Sequence, residues 1–222
     1  AEVTAIDITL NRVISTSKKL NMLKNSPASF ALQADAEKIP FPKDTFDIVY
    51  SNGVLHHTDD TQKALNEVLR VLKPGGKALI MLYCKDSYLY WVNLFLLKGV
   101  LLGNIFKGEN WLGRVTEWMS AEKQKIYNPI TRMYTRRELV IMFEKFENIS
   151  TRKAGFNFEQ IPFIGKLIAR IIAIKTGYSE SGTLVYDKPW RMESKIELSL
   201  GNYIGYAYNI SATKPIMANK EK

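Results

Sequence analysis

The stretch that most constrains this chain runs from Ala34 to Tyr83, ADAEKIPFPKDTFDIVYSNGVLHHTDDTQKALNEVLRVLKPGGKALIMLY. Residues 46–51 are short, apolar and rich in β-branched and aromatic side chains, and Asn52-Gly53 follows at once. That pattern predicts a buried strand ending in a loop. Thr58, Asp59 and Asp60 offer an N-cap and acidic first-turn residues, while Ala64, Val68 and Leu72 with Leu65 and Leu69 recur at helical spacing. An amphipathic helix is expected there. The run Lys73-Pro74-Gly75-Gly76 should stop it in a tight turn, because proline cannot continue a helix and glycine accepts the left-handed conformation of a helix end. Residues 78–83 are apolar at nearly every position, the pattern of a strand covered on both faces. Strand, helix and strand make a βαβ unit with a right-handed crossover.

The run DAEKIPFPKDTFDIVYSNGVLHH followed by EVLRVLKPGG resembles the central half of class I S-adenosylmethionine-dependent methyltransferases. The resemblance is to the methyltransferase type 11 subgroup, which includes ubiquinone and menaquinone biosynthesis methyltransferases, and its motifs occur in order over residues 3–83. It implies a doubly wound α/β fold: a mostly parallel Rossmann-like sheet with an antiparallel last strand and helical lid insertions. S-adenosylmethionine is the implied cofactor. By resemblance, Asp7, at the end of a strand over residues 2–7, accepts from the ribose hydroxyls, with Ile8 beside it. Asp35 and Ala36, with Glu37, lie beside the adenine. Backbone groups of Ser51, Asn52 and Gly53 approach the methionine part, and His56 borders the same site.

Read without the family, Asp7 is a strand-end aspartate facing solvent, and Asp35 caps its own turn as loop aspartates commonly do. His56 and His57 are the two histidines of the chain. Either can serve as a general base, since imidazole titrates near neutrality, or can simply shape the site; Tyr134 is a third candidate base. No metal site is expected, because Asp59 and Asp60 are better explained as helix-start acids than as partners of the histidines.

In the resembled family a first strand, an acidic-x-Gly-x-Gly-x-Gly loop and a helix precede the position of Asp7. None of these stands before Asp7 here, which predicts a fragment lacking roughly 40 to 80 upstream residues and a sheet with two unpaired inner edges. The late run LGNYIG (200–205) does not match the loop pattern, which argues against circular permutation.

A chain of 222 residues suits one domain with elaborations, and 46% hydrophobic with 24% charged residues fits a globular protein rather than a disordered one. The single cysteine, Cys84, excludes an internal disulfide and reads as a passive thiol in a reducing, cytoplasmic setting. No secretory n-region and h-region occur at the start. The net charge of +9 can attract an anionic substrate, a membrane surface or nucleic acid. No dense basic run with interleaved aromatics occurs, which argues against nucleic acid.

Residues 88–106 (YLYWVNLFLLKGVLLGNIF) are the most apolar stretch. Asn93, Lys98 and Asn104 would sit in hydrocarbon if it spanned a bilayer, so it reads as a helical insertion that covers the substrate pocket or dips into a membrane interface. A helix is expected over 111–127, and Thr135-Arg-Arg-Glu138 is a capping box opening another through Leu139, Met142, Phe143 and Phe146. Residues 146–153 read as a strand. Residues 161–175 form an apolar helix with Lys166 and Arg170 four apart, suited to an anionic membrane or phosphate, or to packing on the domain with its cations in water. Residues 203–212 read as the last strand.

The expected organisation is thus a partial S-adenosylmethionine-binding core over 1–86, a lid or substrate insertion over 87–134, and the rest of the core over 135–217 with a second insertion near 161–190. Residues 218–222 read as a disordered tail. The implied function is S-adenosylmethionine-dependent methyl transfer to a small molecule, lipid-like or anionic, with possible peripheral contact to a membrane surface. Two alternatives stay open: a sugar or nucleotide-linked glycan as acceptor, and a catalytically inactive methyltransferase-like binding module.

Overall fold

The computed structural model describes residues 2–22, 29–116, 118–121, 124–127, 130–176 and 193–216. Strands β1 (Thr4–Asp7) and β2 (Phe30–Gln33) pair in parallel, with Asp7 opposite Gln33, and α1 (Leu10–Asn21) packs on both. The second parallel pair is β3 (Phe46–Asn52) with β4 (Leu72–Tyr83), joined through α2 (Thr61–Val71).

Of Thr58, Asp59 and Asp60, the last is the N-cap of α2, its carboxylate accepting from Lys63 N at 3.0 Å, and the first turn holds no acid, contrary to expectation. Ala64, Leu65, Val68 and Val71 are its buried stripe. Leu72, expected in its last turn, instead opens β4 in an extended conformation (φ −68°, ψ 140°). The physical reason is Pro74, which disfavours helical geometry at Lys73 and offers no N–H. The KPGG run is correspondingly no tight turn but an extended bulge: strand pairing passes from Phe46–Leu72 to Ile48–Lys77. Gly75 sits there at φ +78°, and its N–H donates to Lys214 O. Along β4, fully buried Ala78, Ile80 and Leu82 alternate with half-buried Leu79, Met81 and Tyr83, so only one face is wholly covered.

Beyond β4 a widely wound helix covers Leu89–Leu101, closing with a five-residue bond from Leu102 N to Leu97 O. No helix among the described residues is long and apolar enough to cross a membrane. The helix expected over 111–127 is cut short. Its first part is α3 (Trp111–Thr116), and the rest pairs as an antiparallel ribbon, β5 (Trp118–Ala121) with β6 (Gln124–Tyr127). Trp, Ile and Tyr in these four-residue runs favour extended backbone when the runs pair with each other.

The capping box forms as expected: Thr135 Oγ1 accepts from Glu138 N, and Glu138 accepts from Thr135 N, opening α4 (Arg136–Met142). Strand β7 (Glu147–Ala154), α5 (Gly165–Thr176), α6 (Lys195–Ile204) and β8 (Ala207–Thr213) complete the described elements. The last strand therefore begins four residues later than expected, because Tyr203 and Ile204 end α6. A second capping box, Ser194 with Glu197, nucleates that helix and was legible as S-x-x-E. The expected disordered tail and all of residues 177–190 lie outside the described residues.

The main sheet has the order β3-β4-β8-β7, with β8 antiparallel to both neighbours. Strands β3, β4 and β7 thus share one direction and only β8 opposes them, the expected parallel sheet with an antiparallel last strand. Among the described strands, β1 and β3 each pair on one side only. Leu65, Leu72, Leu82, Phe143, Tyr208 and Ile210 anchor the core between this sheet, α2 and α4.

Candidate functional site

The loops after β1, β2 and β3 converge through a chain of hydrogen bonds. Asp7 O accepts from Ala34 N at 3.1 Å, and Ile8 O accepts from Gln33 Nε2 at 2.9 Å, so the end of β1 is tied to the end of β2. The loop after β2 is in turn tied to α2: Glu37 accepts from Asp60 N at 2.7 Å and pairs with Lys63 Nζ at 3.5 Å. Residues 51–60, which leave β3, end on that same helix start. Asp7, Ile8, Asp35, Ala36, Glu37, Ser51, Asn52 and Gly53 are therefore brought to one rim, at the carboxyl ends of parallel strands where open α/β sheets bind ligands.

Within that rim the side chains have different tasks. One carboxylate oxygen of Asp7 accepts from Thr9 N at 2.7 Å, and one of Asp35 accepts from Glu37 N at 2.8 Å. Each aspartate caps its own turn, which the plain reading anticipated for Asp35 but not for Asp7. Glu37 differs: its side chain is largely buried and is spent on the positive end of α2. Gly53, at φ +72°, supplies the left-handed turn through which the chain leaves β3.

The turn Leu55–His57 follows directly. His56 is fully buried, its ring 3.8 Å from that of Tyr83 and 4.1 Å from that of His57. It packs between Tyr83 and His57, shut off from solvent. His57 Nδ1 donates to Ile130 O at 2.8 Å. A carbonyl only accepts, so the proton sits on Nδ1 and Nε2 is the basic nitrogen of the neutral ring. Tyr134 donates its hydroxyl to Thr61 Oγ1 at 2.8 Å, and burial pushes its phenol up from the ordinary value. Of the three candidate bases, His57 is the one whose tautomer a hydrogen bond sets, and its Nε2 is buried.

Two arginines that the sequence reading did not single out hold these loops. Arg132 places its guanidinium on the carbonyls of Thr58 and Asp59, and its backbone N–H donates to His56 O. Arg70 donates to Phe41 O at 2.7 Å and Ile39 O at 2.8 Å while pairing with Glu67 at 2.7 Å. The three-residue spacing of Glu67 and Arg70 was a visible signal of an ion pair. Nothing in spacing reveals a carbonyl partner far along the chain. Cys84 is buried at the end of β4 and its thiol is pushed up, chiefly by burial, in keeping with a passive role.

Residues 1–80 match the methyltransferase domain family. A ubiquinone/menaquinone biosynthesis C-methyltransferase from Azotobacter vinelandii is 28% identical over 146 residues, covering 66% of this chain and 51% of the relative. The chain thus spans about half the length of that curated relative. Among solved structures, a SAM-dependent methyltransferase from Methanosarcina mazei matches 97% of this chain and 82% of its own, with a TM-score of 0.55 at 16% identity. A SAM-dependent methyltransferase from Thermotoga maritima, described as a possible histamine N-methyltransferase, matches 96% of this chain and 72% of its own, with a TM-score of 0.53 at 16% identity. These structural likenesses establish the fold expected from the sequence.

Proposed function

We propose, from the premise that this chain carries a methyltransferase domain over residues 1–80 in a class I methyltransferase fold, that the protein methylates an apolar, lipid-like small molecule at the expense of S-adenosylmethionine. The observation that carries the reading is the rim: Asp7 ends β1 and Asp35 follows the neighbouring β2, each with one oxygen committed to its own loop, and the loop after β2 is tied through Glu37 to the helix start that residues 51–60 lead into. That donor set fits the cofactor. Asp7 offers an acceptor to the ribose hydroxyls and Asp35 one to the adenine amine, while the turn at Gly53 lets backbone approach the amino-acid end. When bound, S-adenosylmethionine supplies a methyl group on a good leaving group. The residues of this chain then contribute alignment and the exclusion of water. Where the acceptor must lose a proton, His57 Nε2 takes it, with Ile130 O holding the ring in the correct tautomer.

The acceptor class rests on two supports. The relative from Azotobacter vinelandii is named for C-methylation in quinone biosynthesis. The chain also carries a mostly apolar helix, Leu89–Leu101, directly after β4, with Asn93 and Lys98 its polar exceptions.

Isothermal titration of the full chain with S-adenosylmethionine tests the premise. Asp7→Ala should weaken binding by about 10- to 100-fold, the loss of a hydrogen bond to a charged group. Absence of binding to the wild type would instead favour an inactive, methyltransferase-like binding module. With labelled cofactor, label should enter the organic-extractable fraction of a mixed acceptor pool; label confined to the polar fraction would favour a sugar or glycan acceptor. His57→Gln should lower turnover by about 10²-fold or more and remove the acid limb of the pH profile.

A further inference from the structure

Two apolar segments are joined on this protein near Asn93 and Gln160. Asn93, on the wide helix, donates its side-chain amide to Gln160 O, and the Tyr88 ring lies 5.8 Å from that of Phe156, just before the turn that leads into α5. Both segments turn apolar side chains outward. On the wide helix, Trp91, Leu96 and Leu101 are exposed at five-residue intervals, which the i→i+5 winding spreads over one broad stripe. On α5, Leu167, Ile171 and Ile174 are exposed at intervals of four and three, the spacing of a single helical stripe. A stripe of this kind ordinarily faces a core.

Each segment also carries a phenylalanine at a turn. Phe106 is 84% exposed between Gly103 and Gly108, both at positive φ, and Phe163 is 95% exposed with its own φ at +66°. A bulky residue in the left-handed region that buries nothing gains nothing from the fold in return.

The charge pattern identifies the occupant. Residues 88–108 and 160–176 contain five basic residues and no acidic one. Lys98 is held on Val115 O, but Lys107, Arg170 and Lys175 are exposed beside the apolar side chains. Outward apolar stripes, protruding aromatic residues and cations without acids are the chemistry of a protein that rests in the interface of an anionic bilayer. A second copy fits less well, because a two-fold contact sets a patch against itself and here would oppose like charges.

We infer that the wide helix, its turn at Phe106 and the Phe163–α5 segment form a docking surface for anionic lipid. The two segments insert their apolar stripes at headgroup depth while Lys107, Arg170 and Lys175 reach the phosphates. This surface goes beyond methyl transfer, and its test is independent of cofactor binding.

Flotation of the full chain with vesicles decides the matter. Vesicles of phosphatidylcholine with about a third phosphatidylglycerol, in about 0.1 M salt, should carry the protein at least tenfold better than phosphatidylcholine alone. Replacing both Phe106 and Phe163 by serine should reduce partition on the order of tenfold per side chain. Replacing Arg170 and Lys175 by alanine should reduce it about fivefold per charge. Since all four side chains are exposed, circular dichroism and melting temperature should be those of the wild type. Failure of the wild type to float, equal flotation on neutral vesicles, or variants that float like the wild type would each overturn the inference. So would a dimer in light scattering, without lipid, that Phe106→Ser and Phe163→Ser disperse to monomer: the surface would then belong to self-association.

Discussion

The unit β3-α2-β4 and the wide helix after it are both rich in aliphatic side chains, yet they spend them in opposite ways. In the first, Leu65, Val68, Ile80 and Leu82 are all buried in one contiguous core. In the second, Tyr90 and Leu94 are buried while Trp91, Leu96, Leu101 and Leu102 face outward. What separates them is the company each element keeps. Strand β4 is bonded on both edges, by β3 and β8, and α2 covers one face, whereas the wide helix touches α3 and the turn before it and little else. Apolar content therefore reports what must leave water; the neighbours decide whether the fold or a ligand removes it.

The widest gap between the two regions should appear in truncation to alanine. Leu65→Ala should cost about 3 kcal/mol, as transfer and cavity terms add in a closed core. Leu101→Ala should fall within about 0.5 kcal/mol of wild type. Urea denaturation of both measures the difference, and equal losses would erase the contrast. A smaller effect is expected at Arg70, which ties the loop after β2 to α2. Arg70→Met should cost about 2 kcal/mol, the scale of hydrogen bonds to a charged group, and should speed amide exchange at Ile39. Thr135→Ala removes one half of a capping box and should cost about 1 kcal/mol, with Thr135→Ser restoring most of it.

The smallest expected effect is a pH dependence. The side-chain hydrogen bond from Arg70 holds the Glu67 carboxyl below the ordinary carboxylate range. A lowered folded value means that the ion pair contributes fully above the unfolded value of about 4.3 and is lost as the pH falls through the folded value. Arg70→Met should therefore flatten the acid limb of a melting-temperature profile below about pH 5, while leaving its shape near neutrality unchanged.

Much of this was readable in the chain. Asp60 caps α2, Thr135 and Glu138 close their box, and the apolar run at residues 78–83 lies in the middle of the sheet. The misread boundaries share a cause. Leu72 has helical periodicity but precedes Lys73-Pro74, and Tyr203-Ile204 continue an alternating pattern yet are claimed by a helix nucleated at Ser194. Residues 118–127 look helical until pairing with each other satisfies their backbone. In each case a local signal competed with a second signal or with a partner strand.

At the rim the division is sharper. The sequence by itself determined that Asp7, Asp35 and residues 51–53 lie at or within two residues of strand ends and carry polar groups, because periodicity, turn chemistry and family motifs act over a few residues. Only the tertiary structure decided what those groups do. It withdrew Glu37 to the start of α2, buried His56 against Tyr83, fixed the His57 tautomer on Ile130 O, and clamped the loop with Arg132, 73 residues along the chain from Asp59. A hydrogen-bond partner is chosen by distance in space, and a backbone carbonyl looks alike at every position in a sequence.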